Sequence, residues 1–162
     1  MTKIIIIGAG AMGSAFTIPC IENGNDVTLI GTHHENNLID EISKSAHPAL
    51  KVALPKNLKL EKFEKIKEYA DADLIVCAVS SLGVDWFIDQ VSQIGNKKLN
   101  IVLLTKGLSI EAGKLITISH KIKNELKKNG FDDVIVSAIK GPCLAAGLAN
   151  KMRTGTVIAS EN

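Results

Sequence analysis

Five short stretches of this sequence carry groups that could do chemistry. The first is Gly8-Ala9-Gly10-Ala11-Met12-Gly13, a G-x-G-x-x-G turn. It follows the isoleucine run Ile4-Ile5-Ile6-Ile7 and precedes a stretch of helical character. A strand, this turn and a helix form the fingerprint of a dinucleotide-binding unit. Gly8 permits a tight turn out of the strand. Gly10, lacking a Cβ, lets a pyrophosphate approach the backbone, and Gly13 lets the helix pack closely on the strand. Free N–H groups and the positive end of the helix dipole then hold the phosphates. A glycine turn that merely packs is the bland alternative. A secretory signal is excluded, because the apolar run is too short and is interrupted by glycines.

The second stretch is Thr32-His33-His34, about 20 residues beyond the glycine turn, where an adenine ribose belongs. An NAD-selective site places Asp or Glu there. This chain has Thr32 and two histidines, with Glu35 just beyond. A missing carboxylate removes a repulsion against a 2′-phosphate, which tilts the cofactor expectation from NAD towards NADP. An exposed loop pair is an equally good reading of the histidines, and no zinc site is expected from them. The third stretch, Ser80-Ser81, puts two hydroxyls at the end of a strand over 73–79, where open α/β sheets bind ligands. Helix capping by Ser81 is the alternative. The fourth is Thr105-Lys106-Gly107. Its ammonium would project over the sheet edge beside the nicotinamide end and bind a substrate oxygen or phosphate as a point charge. A solvated turn lysine fits the spacing equally well. The fifth is Lys140-Gly141-Pro142-Cys143, with Gly141 allowing close approach and Pro142 suited to a first helical turn. Cys143 lies near a helix start, where thiols ionise more readily. Without a nearby histidine in sequence it is not favoured as a nucleophile.

The elements that must position these groups alternate along the chain. Strands are expected over 3–7, 26–30, 73–79, 100–104, 133–139 and 154–160. Helices are expected over 11–23, with Pro19 bending the axis, and over 35–45, 61–70, 82–94, 109–129 and 144–151. Residues 47–60 read as a connection. In the long helix over 109–129, Leu115, Ile118, Ile122 and Leu126 follow helical spacing on one face. Trp86, Phe87 and Val91 read as packing residues, with Trp86 in the core rather than a binding platform. Cys77 reads as a small buried residue. This pattern gives an α/β, Rossmann-type fold: a doubly wound, mainly parallel sheet with helices on both faces, in one dinucleotide-binding domain over 1–162.

The formal net charge of +2 comes without a basic stripe, so nucleic acid is not an expected partner. Lys121, Lys123, Lys127 and Lys128 read as the solvated face of one helix. No apolar run is long enough to span a bilayer. Cys20, Cys77 and Cys143 lack metal-site spacing and fit a reduced, cytoplasmic setting.

Together these motifs resemble the NAD(P)-dependent glycerol-3-phosphate dehydrogenases. The resemblance rests on the glycine loop, the strand Ala72-Asp73-Leu74-Ile75-Val76, the turns Thr105-Lys106-Gly107-Leu108 and Gly141-Pro142, the segment Pro55-Lys56-Asn57-Leu58, and Thr154-Gly155-Thr156-Val157-Ile158-Ala159-Ser160. It covers the whole chain but only the amino-terminal half of a family member. The resemblance implies reversible hydride transfer between sn-glycerol 3-phosphate and dihydroxyacetone phosphate, a small phosphorylated substrate. It places Ala11, Met12 and Ala145 at the cofactor, with Thr32 and His33 at the adenosine ribose; Ser80 is expected at the cofactor from its place at the strand end. Lys106 would touch cofactor and substrate, and Gly141 and Cys143 would line the substrate site. The chain departs from the family at Met12, usually aromatic, and at Ser80, commonly proline. It departs also at Lys140, usually small, and at Cys143, usually a hydroxyl residue; Lys140 adds charge suited to a phosphate. The family's general base lies in a helical carboxyl-terminal domain, so this chain is expected to bind cofactor without turning over substrate alone. A ketopantoate-reductase-like enzyme and a non-catalytic nucleotide-binding module are the competing readings. Closure of the site by partner chains in a homo-oligomer is a third arrangement.

Overall fold

Four consecutive isoleucines can be buried only if both faces of their strand are covered, because successive side chains point to opposite sides. The structure, a computed structural model that describes residues 1–95 and 98–160, shows this arrangement. In β1 (Lys3–Ile7), Ile4 and Ile6 join one apolar cluster and Ile5 and Ile7 the other. The chain continues through α1 (Ala11–Glu22), β2 (Asp26–Ile30), α2 (Asn36–Ile42), β3 (Lys59–Glu61) and a 3-10 helix (Phe63–Tyr69). Next come β4 (Leu74–Cys77), a second 3-10 turn (Ser81–Gly83), α3 (Val84–Val91) and β5 (Lys98–Leu103). The last part comprises β6 (Leu108–Glu111), β7 (Lys114–Thr117), α4 (Ile118–Lys128), β8 (Asp133–Lys140), α5 (Ala145–Ala149) and β9 (Val157–Ala159).

The main sheet has the order β3-β2-β1-β4-β5-β8-β9, parallel except for β9, which runs antiparallel to β8. This is the doubly wound architecture expected from the sequence. Ile39 and Ile42 of α2, with Met12, Phe16 and Ile21 of α1, cover the Ile4/Ile6 face. Phe87, Ile88 and Val91 of α3, with Ile118, Ile122 and Leu126 of α4, cover the Ile5/Ile7 face. Each fully buried side chain of this size contributes about 1.5–3 kcal/mol, so the two layers hold the sheet from both sides. Cys77 is fully buried, and burial pushes its thiol up to about 12, which makes it inert as a nucleophile.

Register sets where the loops emerge. Ile7 lies opposite both Ile30 and Cys77, so Gly8, Gly31 and Ala78 leave the sheet at one level. The Gly8 N–H donates to Ile30 O and the Ala78 N–H to Ile7 O, both at 2.9 Å.

Two helix expectations need correction. The span 109–129 is not one helix. β6 and β7 form a hairpin whose turn residues Ala112 and Gly113 take positive φ of 48° and 75°. Only then does α4 begin, with the Thr117 side chain accepting from the His120 N–H at 3.2 Å. Ile118, Ile122 and Leu126 do form the buried face, but Leu115 sits on the hairpin and is 70% exposed. The span 61–70 starts in β3 and then winds as a 3-10 rather than an α-helix. Among the described residues no helix is long and apolar enough to cross a membrane, and no cluster of metal-ligating side chains occurs.

Candidate functional site

The glycine turn is built against the sheet rather than over it. Gly8 has φ +113°, and a Cβ there would lie 2.7 Å from the Ala78 carbonyl carbon. A Cβ on Gly13 would lie 2.0 Å from Gly8 O. Gly10 differs: among the described residues the only atom within 4 Å of its would-be Cβ is Glu35 Oε1, at 3.8 Å. Space is therefore kept open where a phosphate would approach. Gly10 also caps α1 without a side-chain hydrogen bond, so the first-turn amides, and with them the positive helix end, face that space. These features fit a dinucleotide's diphosphate.

Two crevices flank this helix start. The first, of about 300 Å³, is lined by Gly10, Thr32, His33, Ser80 and Trp86, among others. The second, of about 350 Å³, is lined by Met12, Lys106, Gly141 and Cys143, with apolar walls from Phe16, Leu104 and Ile139. The fold thus sorts the sequence-predicted residues into two groups on either side of Gly10 and Met12. Gly8 and Gly13 lie beneath the loop. Ala11 and Ala145 line neither crevice; both belong to the small cluster around Ala15, Ile18, Leu50 and Ala149 that seats α5 on α1. Lys106 is exposed at its crevice. Cys143 is half-buried and directly precedes Leu144, the cap residue of the five-residue α5.

A family model for the NAD-dependent glycerol-3-phosphate dehydrogenase N-terminus matches residues 3–162. The chain belongs to this family. It is 32% identical to the NADP(+)-dependent glycerol-3-phosphate dehydrogenase of Archaeoglobus fulgidus over 98% of this chain and 47% of the relative. The crystal structure of glycerol-3-phosphate dehydrogenase from Coxiella burnetii shares the fold, with a TM-score of 0.79 at 24% identity, over 99% of this chain and 47% of that one. A solved structure from Enterococcus faecalis assigned as a 2-dehydropantoate 2-reductase aligns less well, with a TM-score of 0.60 at 25% identity over 86% of this chain and 42% of that one. The chain spans about half the length of the curated relatives it matches.

Three residues that the family motifs do not point to shape this member's site. Glu35 Oε2 accepts from the Ala9 N–H at 2.9 Å and the Thr32 N–H at 2.8 Å. Its half-buried carboxylate thus ties the glycine turn to the end of β2 and lines the first crevice. A carboxylate therefore does line this crevice, three residues after Thr32, where the tilt towards NADP assumed none. His47 opens a stretch that the sequence marks only as a connection, yet it is buried and its Nε2 lies 3.1 Å from Ala9 O, which also accepts from Ser14 Oγ at 2.9 Å. No local signal marks this contact, which joins residues 38 positions apart. Trp86 does pack on the core, as expected. It is also half-buried at the first crevice, with its ring 5.1 Å from His33 and 6.3 Å from Phe63, so it forms an aromatic wall there as well.

Proposed function

We propose that the protein carrying this chain binds a nicotinamide dinucleotide along the carboxyl edge of the sheet and interconverts sn-glycerol 3-phosphate and dihydroxyacetone phosphate. The observation that carries this reading is the pair of crevices meeting at the open amino end of α1. The adenosine half suits the crevice of Thr32, His33 and Ser80, where Trp86 offers a ring face. The amides of Gly10, Ala11 and Met12 suit the diphosphate. The second crevice suits the nicotinamide and substrate, with the Lys106 ammonium fixing a substrate oxygen and Met12, Phe16 and Leu104 keeping water from one side. The bound dinucleotide supplies or takes up the hydride. The family's general base lies in its carboxyl-terminal half, and we therefore assign proton transfer at the substrate hydroxyl to a carboxyl-terminal domain of the protein rather than to Lys106 or Lys140, the lysines that line the second crevice. Free Cys20, Cys77 and Cys143 suit a reducing compartment such as the cytoplasm.

Trp86 is the only tryptophan, so its emission reports directly on the first crevice. Titration of the 162-residue chain with NADH or NADPH should quench it saturably, while the chain alone oxidises no glycerol 3-phosphate. The intact gene product should reduce dihydroxyacetone phosphate. Reduction of ketopantoate instead would select the rival enzyme, and binding without turnover by the intact product would select a nucleotide-binding module. Sedimentation with and without cofactor tests whether a second copy closes the site.

Glu35→Gln gives a second test. Its carboxylate repels a 2′-phosphate in the first crevice. Neutralising it should raise the ratio of NADPH to NADH affinity about fivefold, matching the ~1 kcal/mol between close charges in water. An unchanged ratio would remove Glu35 from cofactor selection.

A further inference from the structure

Lys140 lies on the last residue of β8, next to Gly141. β5 and β8 pair in parallel with Leu103 opposite Ala138, which puts Thr105 and Lys140 at one level just beyond the pairing. The Lys140 Nζ donates to Thr105 O at 2.7 Å. Thr105 is buried, and its Oγ1 donates in turn to Val79 O at 2.7 Å. The Thr156 hydroxyl donates to Lys140 O at 2.9 Å. The lysine is therefore held at both its backbone and its tip, drawn back over the sheet edge. One of its three donors is used, and two remain for a ligand.

The crevice it lines also holds Lys106, and among the described residues no carboxylate lines it. Among the described residues neither lysine forms an ion pair. Two cations thus share one largely apolar hollow with no anion between them. Burial first, and then the Lys106 charge, hold the Lys140 ammonium below the usual lysine range. A pair of uncompensated cations in such a place is an electrostatic cost that an incoming dianion removes.

We propose that Lys140 is a second anion-binding residue of the substrate crevice, which with Lys106 selects a dianionic phosphomonoester over a singly charged carboxylate substrate. This rests on the substrate crevice assigned above.

The test uses the intact gene product. Lys140→Met should raise KM for dihydroxyacetone phosphate roughly tenfold or more, the usual effect of losing a charged hydrogen bond. KM for the dinucleotide should stay within about twofold, and Lys140→Arg should restore most of the substrate affinity. Inorganic phosphate should inhibit the wild type competitively and Lys140→Met much more weakly. An unchanged substrate KM and phosphate inhibition in Lys140→Met would overturn the proposal. So would an equal loss in Lys140→Arg with a matching rise in dinucleotide KM, which marks a structural role. Should Lys140→Met fail to fold, Lys140→Gln is measured in the same way. If the wild type does not reduce dihydroxyacetone phosphate, phosphorus NMR of added inorganic phosphate separates the two ideas. Lys140-dependent binding then upholds the anion pocket while the assigned reaction falls, and its absence overturns the pocket.

Discussion

Gly13→Ala is expected to destabilise the domain strongly, whereas Gly10→Ala should leave its stability nearly unchanged and weaken dinucleotide binding. The two positions look alike in the sequence motif and differ in space. A methyl at Gly13 would sit 2.0 Å from Gly8 O and 2.9 Å from the Ala78 Cβ. Both neighbours are fixed, one as backbone and the other at a strand end, so α1 would have to move off β1 and β4. Overpacking typically costs about 1–3 kcal/mol, and more where the neighbours cannot give, a large share of the ~5–15 kcal/mol that holds a domain of ordinary stability together. At Gly10 the backbone has φ −61°, which alanine adopts freely. The nearest atom is 3.8 Å from the added carbon, an ordinary contact. Stability should change by about 1 kcal/mol or less. The methyl would instead occupy the approach of the diphosphate, weakening binding by roughly a hundredfold. Thermal melts followed by circular dichroism, with Trp86 titrations, read both effects. Wild-type affinity in Gly10→Ala would remove the glycine turn from the binding site.

His47→Ala should cost about 3 kcal/mol and weaken dinucleotide binding as well. The His47 Nδ1 accepts from the N–H groups of Ala49 and Leu50, at 3.2 and 3.3 Å. The ring proton therefore sits on Nε2, which donates to Ala9 O. Truncation leaves two amides without their acceptor, and Ala9 O keeps only the Ser14 hydroxyl. The Leu50 amide is buried, and leaving it unsatisfied costs about 1–3 kcal/mol; the Ala49 amide is only part-buried and can turn to water, and the vacated ring volume adds to the cost. His33→Ala, at an exposed ring, should change stability by no more than about 0.5 kcal/mol. Urea unfolding of the two variants checks the contrast, and equal midpoints would refute the stapling role of His47.

The sheet was legible because its signals are local. The isoleucine run, the Asp73-Leu74-Ile75-Val76-Cys77 run and the glycine turn each state their own conformation. The helix over 109–129 was misread because Leu115, Ile118, Ile122 and Leu126 imitate helical spacing across a hairpin and a helix. Gly113 and Thr117 were the overlooked signs, one a turn residue with positive φ and the other a helix cap. At the candidate site, Thr32, His33, Ser80, Lys106 and Gly141 could be placed at strand ends, and Met12 and Cys143 near helix starts, by order alone. Their division into two crevices could not, since it depends on which side of α1 each loop passes. Glu35 and His47 were missed as contributors for a related reason. Their partners are the amide and carbonyl of Ala9, and no side-chain pattern announces a backbone partner far along the chain.

Ala9 is thus gripped by the protein's own side chains, its N–H by Glu35 and its carbonyl by Ser14 and His47. These side chains come from three separate parts of the chain, so the turn has little conformational freedom left to lose. A nucleotide meeting a cradle that is already set need not order it, and the free energy of its phosphate contacts goes into affinity rather than into freezing the backbone.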